Sequence, residues 1–269
     1  MSRTNLDISA GRAAFGENPA GYHDARPPYP EALWARLVQR TALRPGKAVL
    51  EIGPGTGLAT SRLLALGADP LLAIEPDARL SAHLRAALPD PGLTILNVTL
   101  EAAELPTARF DLGAAATSFH WLDQPSALTK VRAALKVGGW WAMWWTNYGA
   151  EGEPDPFQAA TRHLFAETPR APSHGRRGGP SFAMDAEARL ADLAEAGFVD
   201  AAVDHWPWTI TVETRRLAAL YATFSPIQAL APDRRFEFLR GLAEIADRDF
   251  GGRVERKFST VLYTARRLG

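Results

Sequence analysis

Short apolar stretches alternate with longer amphipathic ones over the first half of the chain. Apolar residues follow strand spacing in the short stretches and helical spacing in the long ones. This alternation is typical of parallel strands that are joined by crossover helices. It predicts strands at residues 48–52, 71–75, 94–98, 110–116 and 139–145, and helices at residues 58–66, 78–88 and 124–135.

The pattern loses its regularity after residue 147. Residues 148–180 contain several prolines and an Arg/Gly-rich run at residues 175–179. Such breakers predict a long connection, with one short helix near residues 156–166. Long loops in a compact protein often cover a binding site, so we expect a lid here.

Regular elements return near the end of the chain. Asp185 is a predicted N-cap, and Gly197 is predicted to end the helix that it starts. The remaining elements are a strand at residues 199–206, helices at residues 214–221 and 232–248, and a last strand of the sheet at residues 257–265.

These elements predict an α/β fold with a doubly wound, mostly parallel seven-stranded sheet. A helical lid would come from the N-terminus and from late insertions. The predicted parts are an N-terminal helical cap at residues 1–44, a core at residues 45–147 and 181–269, and lid insertions at residues 148–180 and 212–252.

Composition narrows the range of partners. Hydrophobic residues make up 46% of the 269 residues, enough for a buried sheet. Thirty basic residues balance thirty acidic ones, so no net charge would attract the chain to nucleic acid or to an anionic membrane. We therefore expect a small-molecule substrate and neither a nucleic-acid nor a membrane partner.

The chain contains no cysteine, which excludes disulfides, thiolate nucleophiles and cysteine-bound zinc. Residues 1–21 lack the apolar core of a signal peptide, and the apolar run at residues 138–145 is too short to cross a bilayer. We expect a cytoplasmic protein without a metal. The sequence leaves its oligomeric state open.

A glycine-rich loop follows the first predicted strand and precedes a helix. It reads Glu51-Ile52-Gly53-Pro54-Gly55-Thr56-Gly57, and glycine at Gly53, Gly55 and Gly57 permits a sharp turn and the close approach of a ligand. The dinucleotide fingerprint needs glycine at the position of Leu58. The spacing therefore predicts a nucleotide-like cofactor but weighs against a bound pyrophosphate.

An acidic residue, Glu75, ends the next predicted strand and is followed by Pro76. A carboxylate at this place can accept hydrogen bonds from both hydroxyls of a ribose. Several adenosine cofactors require such an acceptor, so Glu75 by itself does not choose among them.

The wider set of motifs resembles the class I S-adenosylmethionine-dependent methyltransferases. Residues 49–57 are similar to motif I of that family, and Glu75 to its ribose-binding acid. The segment at residues 22–30, with the pattern Tyr-x-x-x-Arg-Pro-x-Tyr-Pro, resembles the trans-aconitate methyltransferase group. Later motifs of the small-molecule, type 11-like branch are matched in order by residues 101–106, 110–112, 119–122 and 135–139.

This resemblance implies a Rossmann-like fold, S-adenosylmethionine as cofactor and S-adenosylhomocysteine as product. It places Tyr22 and Arg26 over the methionine end of the cofactor, with the guanidinium on its carboxylate. Glu101 would accept from the adenine amino group, with Glu104 as the alternative position for this acid. The predicted cofactor-binding residues are Tyr22, Arg26, Glu51, Gly53, Gly55, Gly57, Glu75, Pro76, Glu101, Phe119, His120 and Trp121.

Three aromatic positions near strand ends suggest the transfer site. His120 is a candidate general base because histidine titrates near neutral pH, although a packing histidine is the plainer interpretation. Trp145 and Tyr148 lie at the carboxyl end of the fifth predicted strand and could line a substrate pocket, or could belong to the core.

The sequence thus predicts methyl transfer to a small-molecule acceptor, with the similarity to the trans-aconitate group favouring a carboxylic acid. Oxygen, nitrogen and carbon acceptors all stay open. A nicotinamide-dependent oxidoreductase is one alternative, weakened by Leu58 and by the lack of a Tyr-x-x-x-Lys pair. A catalytically silent cofactor-binding module is the other.

Overall fold

A computed structural model describes residues 4–149 and 154–269. Residues 1–3 of the predicted N-terminal cap and residues 150–153 of the predicted insertion at 148–180 lie outside the described residues. Seven strands form one sheet: β1 (Lys47–Ile52), β2 (Ala68–Ile74), β3 (Leu93–Leu96), β4 (Phe110–Ala116), β5 (Leu135–Asn147), β6 (Phe198–Glu213) and β7 (Arg253–Arg267).

The strand order is β3-β2-β1-β4-β5-β7-β6. Strands β1 to β5 pair in parallel, whereas β7 runs antiparallel to both β5 and β6. This confirms the predicted doubly wound, mostly parallel sheet. The chain order reverses between β1 and β4, and ligands of open α/β sheets bind at that switch point, beyond the carboxyl ends of the strands.

Helices cover the sheet and extend past one end of it. Asp185 forms the N-cap that the sequence predicts, and Asp77, Asp123 and Asp155 cap three other helices; each accepts a hydrogen bond from a backbone N–H of the first turn. The helices are α1 (Ile8–Ala14), α2 (Pro19–Ala25), α3 (Glu31–Thr41), α4 (Thr60–Ala65), α5 (Ala78–Ala87), α6 (Gln124–Ala134), α7 (Pro156–Thr161), α8 (Ala186–Glu195), α9 (Thr214–Ala222), α10 (Ser225–Gln228) and α11 (Pro232–Phe250).

The last two strands are longer than predicted. β6 continues to Glu213 and β7 already starts at Arg253, so the two strands form a long ribbon. The predicted insertion at residues 212–252 therefore begins inside a strand. Side chains of β6 alternate between exposed and partly buried positions along most of its length, which is the pattern of a strand with one covered face.

Two apolar clusters fill the two faces of the sheet. Trp141 and Trp145 belong to one cluster, and Trp140 and Trp144 to the other. This division confirms the expected alternation of the four tryptophans along β5.

A third cluster, which we call the outer cluster, lies around the far ends of β6 and β7. It joins residues from both predicted insertions, with Phe157 from the first and Leu217, Tyr221 and Leu242 from the second. The two insertions therefore pack as one unit. Among residues 4–149 and 154–269, none of the helices has both the length and the apolar character that a membrane crossing needs.

Candidate active site

The glycine loop turns sharply at the end of β1. Gly53, Gly55 and Gly57 have φ angles of 67°, 58° and 89°, a region that L side chains rarely adopt. The Gly53 N–H donates to the Ile74 carbonyl at 2.9 Å, which ties the loop to the end of β2. The loop thus lies at the switch point of the sheet.

The three glycines serve different purposes. A Cβ at Gly53 would lie 2.6 Å from the Ser118 Cβ, and one at Gly57 would lie 2.5 Å from Leu84 Cδ1. Both positions therefore favour glycine, Gly53 through its φ angle and the fixed Ser118 Cβ, and Gly57 mainly through its φ angle. A Cβ at Gly55 would meet no protein atom within 4 Å, and Gly55 lines an open cleft. The loop leaves room for a ligand at Gly55.

Glu75 connects the glycine loop to the chain after β2. One carboxylate oxygen accepts from the Gly55 N–H and the other from the Asp77 N–H, both at 3.0 Å. Burial raises the pKa of the Glu75 carboxyl to about 7, against the pull of these two hydrogen bonds. The carboxylate lies on the wall of the same cleft, where the remaining lone pairs can accept from a ligand.

Glu51, at the end of β1, is 0% exposed, and neither of its carboxylate oxygens has a hydrogen-bond partner. Burial raises the pKa of this carboxyl to about 7 as well, against the pull of the neighbouring Thr60 hydroxyl, which lies outside hydrogen-bonding geometry. An unpartnered buried carboxyl destabilises a fold, so a residue of this kind points to a functional requirement.

The cleft at the loop has a volume of about 130 Å³. Helix α1 closes it from above: Arg12 donates to the Trp121 carbonyl and its guanidinium lies 3.9 Å from the Glu101 carboxylate. The Phe15 ring packs edge-on against Trp121 at 5.8 Å and against Tyr22 at 5.7 Å. Aromatic side chains therefore cover the cleft on the side opposite Glu75.

A second and larger cavity, of about 640 Å³, adjoins the cleft. Thr117, directly after β4, belongs to the walls of both. Its φ angle is 56°, and its hydroxyl exchanges a 2.9 Å hydrogen bond with that of Tyr29. Most of the other residues that line the second cavity are polar or aromatic, among them Arg26, His120, Trp145, Tyr148, Arg162, His174 and Phe224.

Arg26 is held in the wall of the second cavity. Its Nε donates to the Thr223 hydroxyl at 2.8 Å and its Nη2 to the Thr223 carbonyl at 3.1 Å. The guanidinium carbon lies between 4.8 and 5.0 Å from the ring centres of Tyr22, Tyr148 and Phe224. These contacts fix a positive charge between the two cavities.

His120 lies in a short 3₁₀ helix, Phe119–Trp121, after β4. Its Nδ1 accepts a hydrogen bond from the indole N–H of Trp145 at 2.9 Å. Burial, followed by the charges of Arg26 and His174, lowers the pKa of the imidazole to about 3.

The structure brings most of the predicted residues to one of the two cavities. Those that line the cleft are Tyr22, Gly53, Gly55, Glu75, Pro76, Glu101 and Trp121. The predicted residues that line the second cavity are Arg26, His120, Trp145 and Tyr148. The contact of Arg26 with the methionine carboxylate stays a prediction, as does that of Glu101 with adenine.

Phe119 is a correction. It is fully buried and packs against Trp141 at 5.0 Å in the core, so it does not reach the cleft where a cofactor contact was predicted. Glu51 and Gly57 support the loop from beneath without lining the cleft. His120 faces the second cavity and not the cofactor cleft.

Several residues that line the two cavities are not among the predicted site residues. Tyr29 lies within the predicted motif at residues 22–30 and could have been chosen from it. Arg12 and Phe15 reach the cleft, and Arg162 the second cavity, by long-range packing that leaves no local signal. Within the described ranges, no three His, Cys, Asp or Glu side chains come together as a metal site would require.

Comparison with known proteins gives consistent results. Residues 50–143 match the family described as "Methyltransferase domain". An uncharacterized methyltransferase of Mycobacterium tuberculosis is 29% identical over 184 residues, which cover 60% of this chain and 71% of the relative.

Solved structures share the fold. A putative type II methyltransferase from Anaeromyxobacter dehalogenans has a TM-score of 0.61 at 21% identity, over 90% of this chain and 98% of that one. Phosphoethanolamine N-methyltransferase 2 of Haemonchus contortus, solved with phosphomonomethylethanolamine and S-adenosylhomocysteine, has a TM-score of 0.53 at 14% identity, over 97% of this chain and 57% of that one. Residues 50–143, which contain the switch-point loop and its acidic partner Glu75, are therefore similar to a methyltransferase domain.

Proposed function

We propose that the chain transfers a methyl group from S-adenosylmethionine in the cleft to a small-molecule acceptor in the second cavity. The main support for placing cofactor and acceptor in separate cavities is the wall that the cavities share. The two cavities share a wall at Thr117, so ligands in the two can approach each other there. The cleft lies at the switch point of the sheet, and the larger cavity lies beside it.

The residues of the cleft suit an adenosine cofactor. Glu75 offers carboxylate oxygens to ribose hydroxyls, Gly55 leaves the space that a side chain would fill, and Glu101 and Trp121 close the far end. When bound, S-adenosylmethionine supplies a methyl group on a positively charged sulfur. The chain itself then has to hold the nucleophile of the acceptor in line with the carbon–sulfur bond and to exclude water. Orienting two reactants in this way can lower the activation barrier by on the order of several kcal/mol.

The charges around the second cavity favour an anionic acceptor. Its described lining residues include the cations Arg26 and Arg162 and the histidines His120 and His174, but neither Asp nor Glu. A carboxylate would meet the buried Arg26 guanidinium, whereas an ammonium group would meet only like charge. This agrees with the similarity of residues 22–30 to the trans-aconitate group, so a carboxylic acid is the acceptor that we propose.

The outer cluster serves as the lid in this proposal. Residues of both insertions line the second cavity, with Thr161 and Phe165 from the first and Phe224 and Ile227 from the second. Because the insertions pack together in one apolar cluster, they can cover the acceptor as one unit.

A transfer assay with radiolabelled S-adenosylmethionine tests the proposal. Purified protein would be incubated with a panel of small carboxylic acids and with the amide, amine and alcohol analogue of each. Label transferred to the acids alone, and released as methanol by alkali, identifies a carboxyl methyl ester. Label that enters only amines, or that resists alkali, contradicts the carboxylic acid acceptor.

Two variants at one position sharpen this assay. Arg26→Gln removes the charge while keeping donors toward Thr223, and Arg26→Lys keeps the charge. We expect the Gln variant to lose more than tenfold in kcat/KM for the acid, and the Lys variant to retain more of it. Equal losses in both, or an equal loss of affinity for S-adenosylhomocysteine in the Gln variant, would show that the charge of Arg26 does not recognise the acceptor.

The silent-module alternative gives a different result. Such a protein would bind S-adenosylhomocysteine but transfer no label to any compound in the panel or in a cell extract.

A further inference from the structure

The hydrogen bond between His120 and Trp145 fixes the proton on the histidine. An indole nitrogen can only donate, so at 2.9 Å the Trp145 N–H must meet an unprotonated His120 Nδ1. In a neutral imidazole the other nitrogen, Nε2, then carries the hydrogen. The only lone pair that could accept a proton from a substrate is already in use.

Packing holds both partners in this arrangement. The Trp145 ring lies 5.5 Å from Phe182 and 6.2 Å from Tyr263, and it is almost fully buried on β5. The His120 ring lies 5.2 Å from Trp121 and 6.0 Å from Phe182. The rings of Trp121, Trp145, Phe182 and Tyr263 therefore restrict the rotation that would exchange the two ring nitrogens of His120.

Charges nearby also favour the neutral ring. Arg26 and His174 are the titratable groups that act on His120, and each opposes a positive imidazole. Among the described residues that line the second cavity no carboxylate is present to stabilise an imidazolium. Burial and these charges keep the pKa near 3, so the ring stays neutral at physiological pH.

The Nε2–H donor remains available. Within residues 4–149 and 154–269, His120 makes a hydrogen bond to Trp145 and no protein acceptor meets Nε2. The side chain lies in the wall of the second cavity, so this donor can reach an acceptor atom of a ligand there.

We propose that His120 recognises an oxygen of the methyl acceptor through its Nε2–H, with Trp145 fixing the tautomer, and that it is not the general base. This inference rests on the proposed function, and it replaces the base role suggested by the sequence. It narrows the acceptor to a compound with an anionic or carbonyl oxygen whose nucleophile is already deprotonated at neutral pH. Such an acceptor requires no proton removal by the protein.

The tautomer can be measured without any ligand. We would label the histidines with ¹⁵N and follow both ring nitrogens by NMR from about pH 5.5 to 8.5. The signals of His120 would be assigned by their loss in His120→Gln. We expect a protonated Nε2 and an unprotonated Nδ1 that stay unchanged over this range. A proton on Nδ1, or a midpoint within the range, overturns the inference.

Trp145→Phe should release the tautomer, because it removes the donor and keeps an aromatic ring. A matched control is Trp208→Phe, which removes an indole N–H that donates to the Thr260 hydroxyl at 2.9 Å outside both cavities. We expect a mixture of tautomers at His120 in the first variant and the wild-type signals in the second. Wild-type signals in both would contradict the role of Trp145.

Kinetics separate a donor from a packing residue. His120→Gln can still place an N–H near the position of Nε2, whereas His120→Leu cannot. For the acceptor we expect KM to rise about 10- to 100-fold in the Leu variant, the usual loss for a hydrogen bond to a charged group, and only a few fold in the Gln variant. A general base would instead lower kcat in both variants alike and would give a pH profile with a midpoint near neutrality, and that result overturns the inference.

The tautomer measurement and the transfer assay test the donor role of His120 and the proposed function separately. A wrong tautomer overturns the donor role of His120 and leaves methyl transfer untouched. If Nε2 is protonated as expected but the protein methylates no acceptor, the proposed function is contradicted. The contact between His120 and the acceptor is then contradicted as well.

Discussion

Replacing Glu51 by glutamine should stabilise the ligand-free protein at alkaline pH. The carboxyl is fully buried without a hydrogen-bond partner, and its pKa rises from 4.5 to about 7 on folding. Below about pH 4.5 the group is protonated in both states and adds no pH-dependent penalty. As the pH rises toward 7 the unfolded chain loses this proton first, so stability falls with pH.

The size of the effect follows from the pKa values. At about 1.4 kcal/mol per pH unit, the rise from 4.5 to about 7 corresponds to a cost of about 3 kcal/mol once the pH exceeds 7. Glu51→Gln removes the titration and should recover at most this amount at pH 8 and little at pH 5. The gain is an upper limit because the amide also lacks partners in this site.

Urea unfolding at pH 5 and pH 8 measures the difference. We expect the midpoint of the variant to exceed that of the wild type at pH 8, with an unchanged m-value. Glu104→Gln, at an exposed position outside both cavities, is the control and should change neither midpoint. A variant that is equally or less stable than the wild type at pH 8 would refute the reasoning. If the stabilised variant also binds S-adenosylhomocysteine more weakly, the cofactor accounts for the retention of Glu51.

Further predictions concern the loop and the outer cluster. Gly55→Ala and Gly251→Ala each place a side chain at a φ near 60° with no protein atom in the way, so both should cost about 1–2 kcal/mol in urea unfolding. Only Gly55→Ala should also weaken S-adenosylhomocysteine in calorimetry; equal affinity in both would remove Gly55 from the site. Asp155→Asn leaves the buried Arg256 guanidinium without its 3.0 Å ion pair and should cost about 3–5 kcal/mol. Glu244→Gln, from an exposed pair, should cost less than about 1 kcal/mol, and similar losses in the two would show that burial does not matter here.

The sheet and its cofactor loop could be predicted because their signals are local. Alternating apolar runs specify parallel strands, and glycine is required by backbone geometry at Gly53 and by packing against Ser118. Glu75 was predictable from its place after the second strand. Because β2 pairs in parallel with β1, the end of β2 lies beside the glycine loop that follows β1.

The second cavity could be predicted only in part. Trp145 and Tyr148 were proposed from their position at the carboxyl end of β5, but the partners of Arg26 and His120 depend on distant segments. Arg26 bonds to Thr223, nearly two hundred residues away, and no spacing rule connects the two. Phe119 was misassigned because a short 3₁₀ helix turns successive side chains to different sides, and periodicity over three residues does not say which side faces the ligand.

Calorimetric titration with S-adenosylhomocysteine tests the central claim most directly. The wild-type protein should bind one equivalent, and Glu75→Ala should bind at least tenfold more weakly, because the variant loses the acceptor for the ribose hydroxyls and the support of the Gly55 N–H. Circular dichroism of the variant would confirm that it remains folded. No heat of binding for the wild type, or the same dissociation constant for both proteins, would contradict the assignment of this cleft to the cofactor.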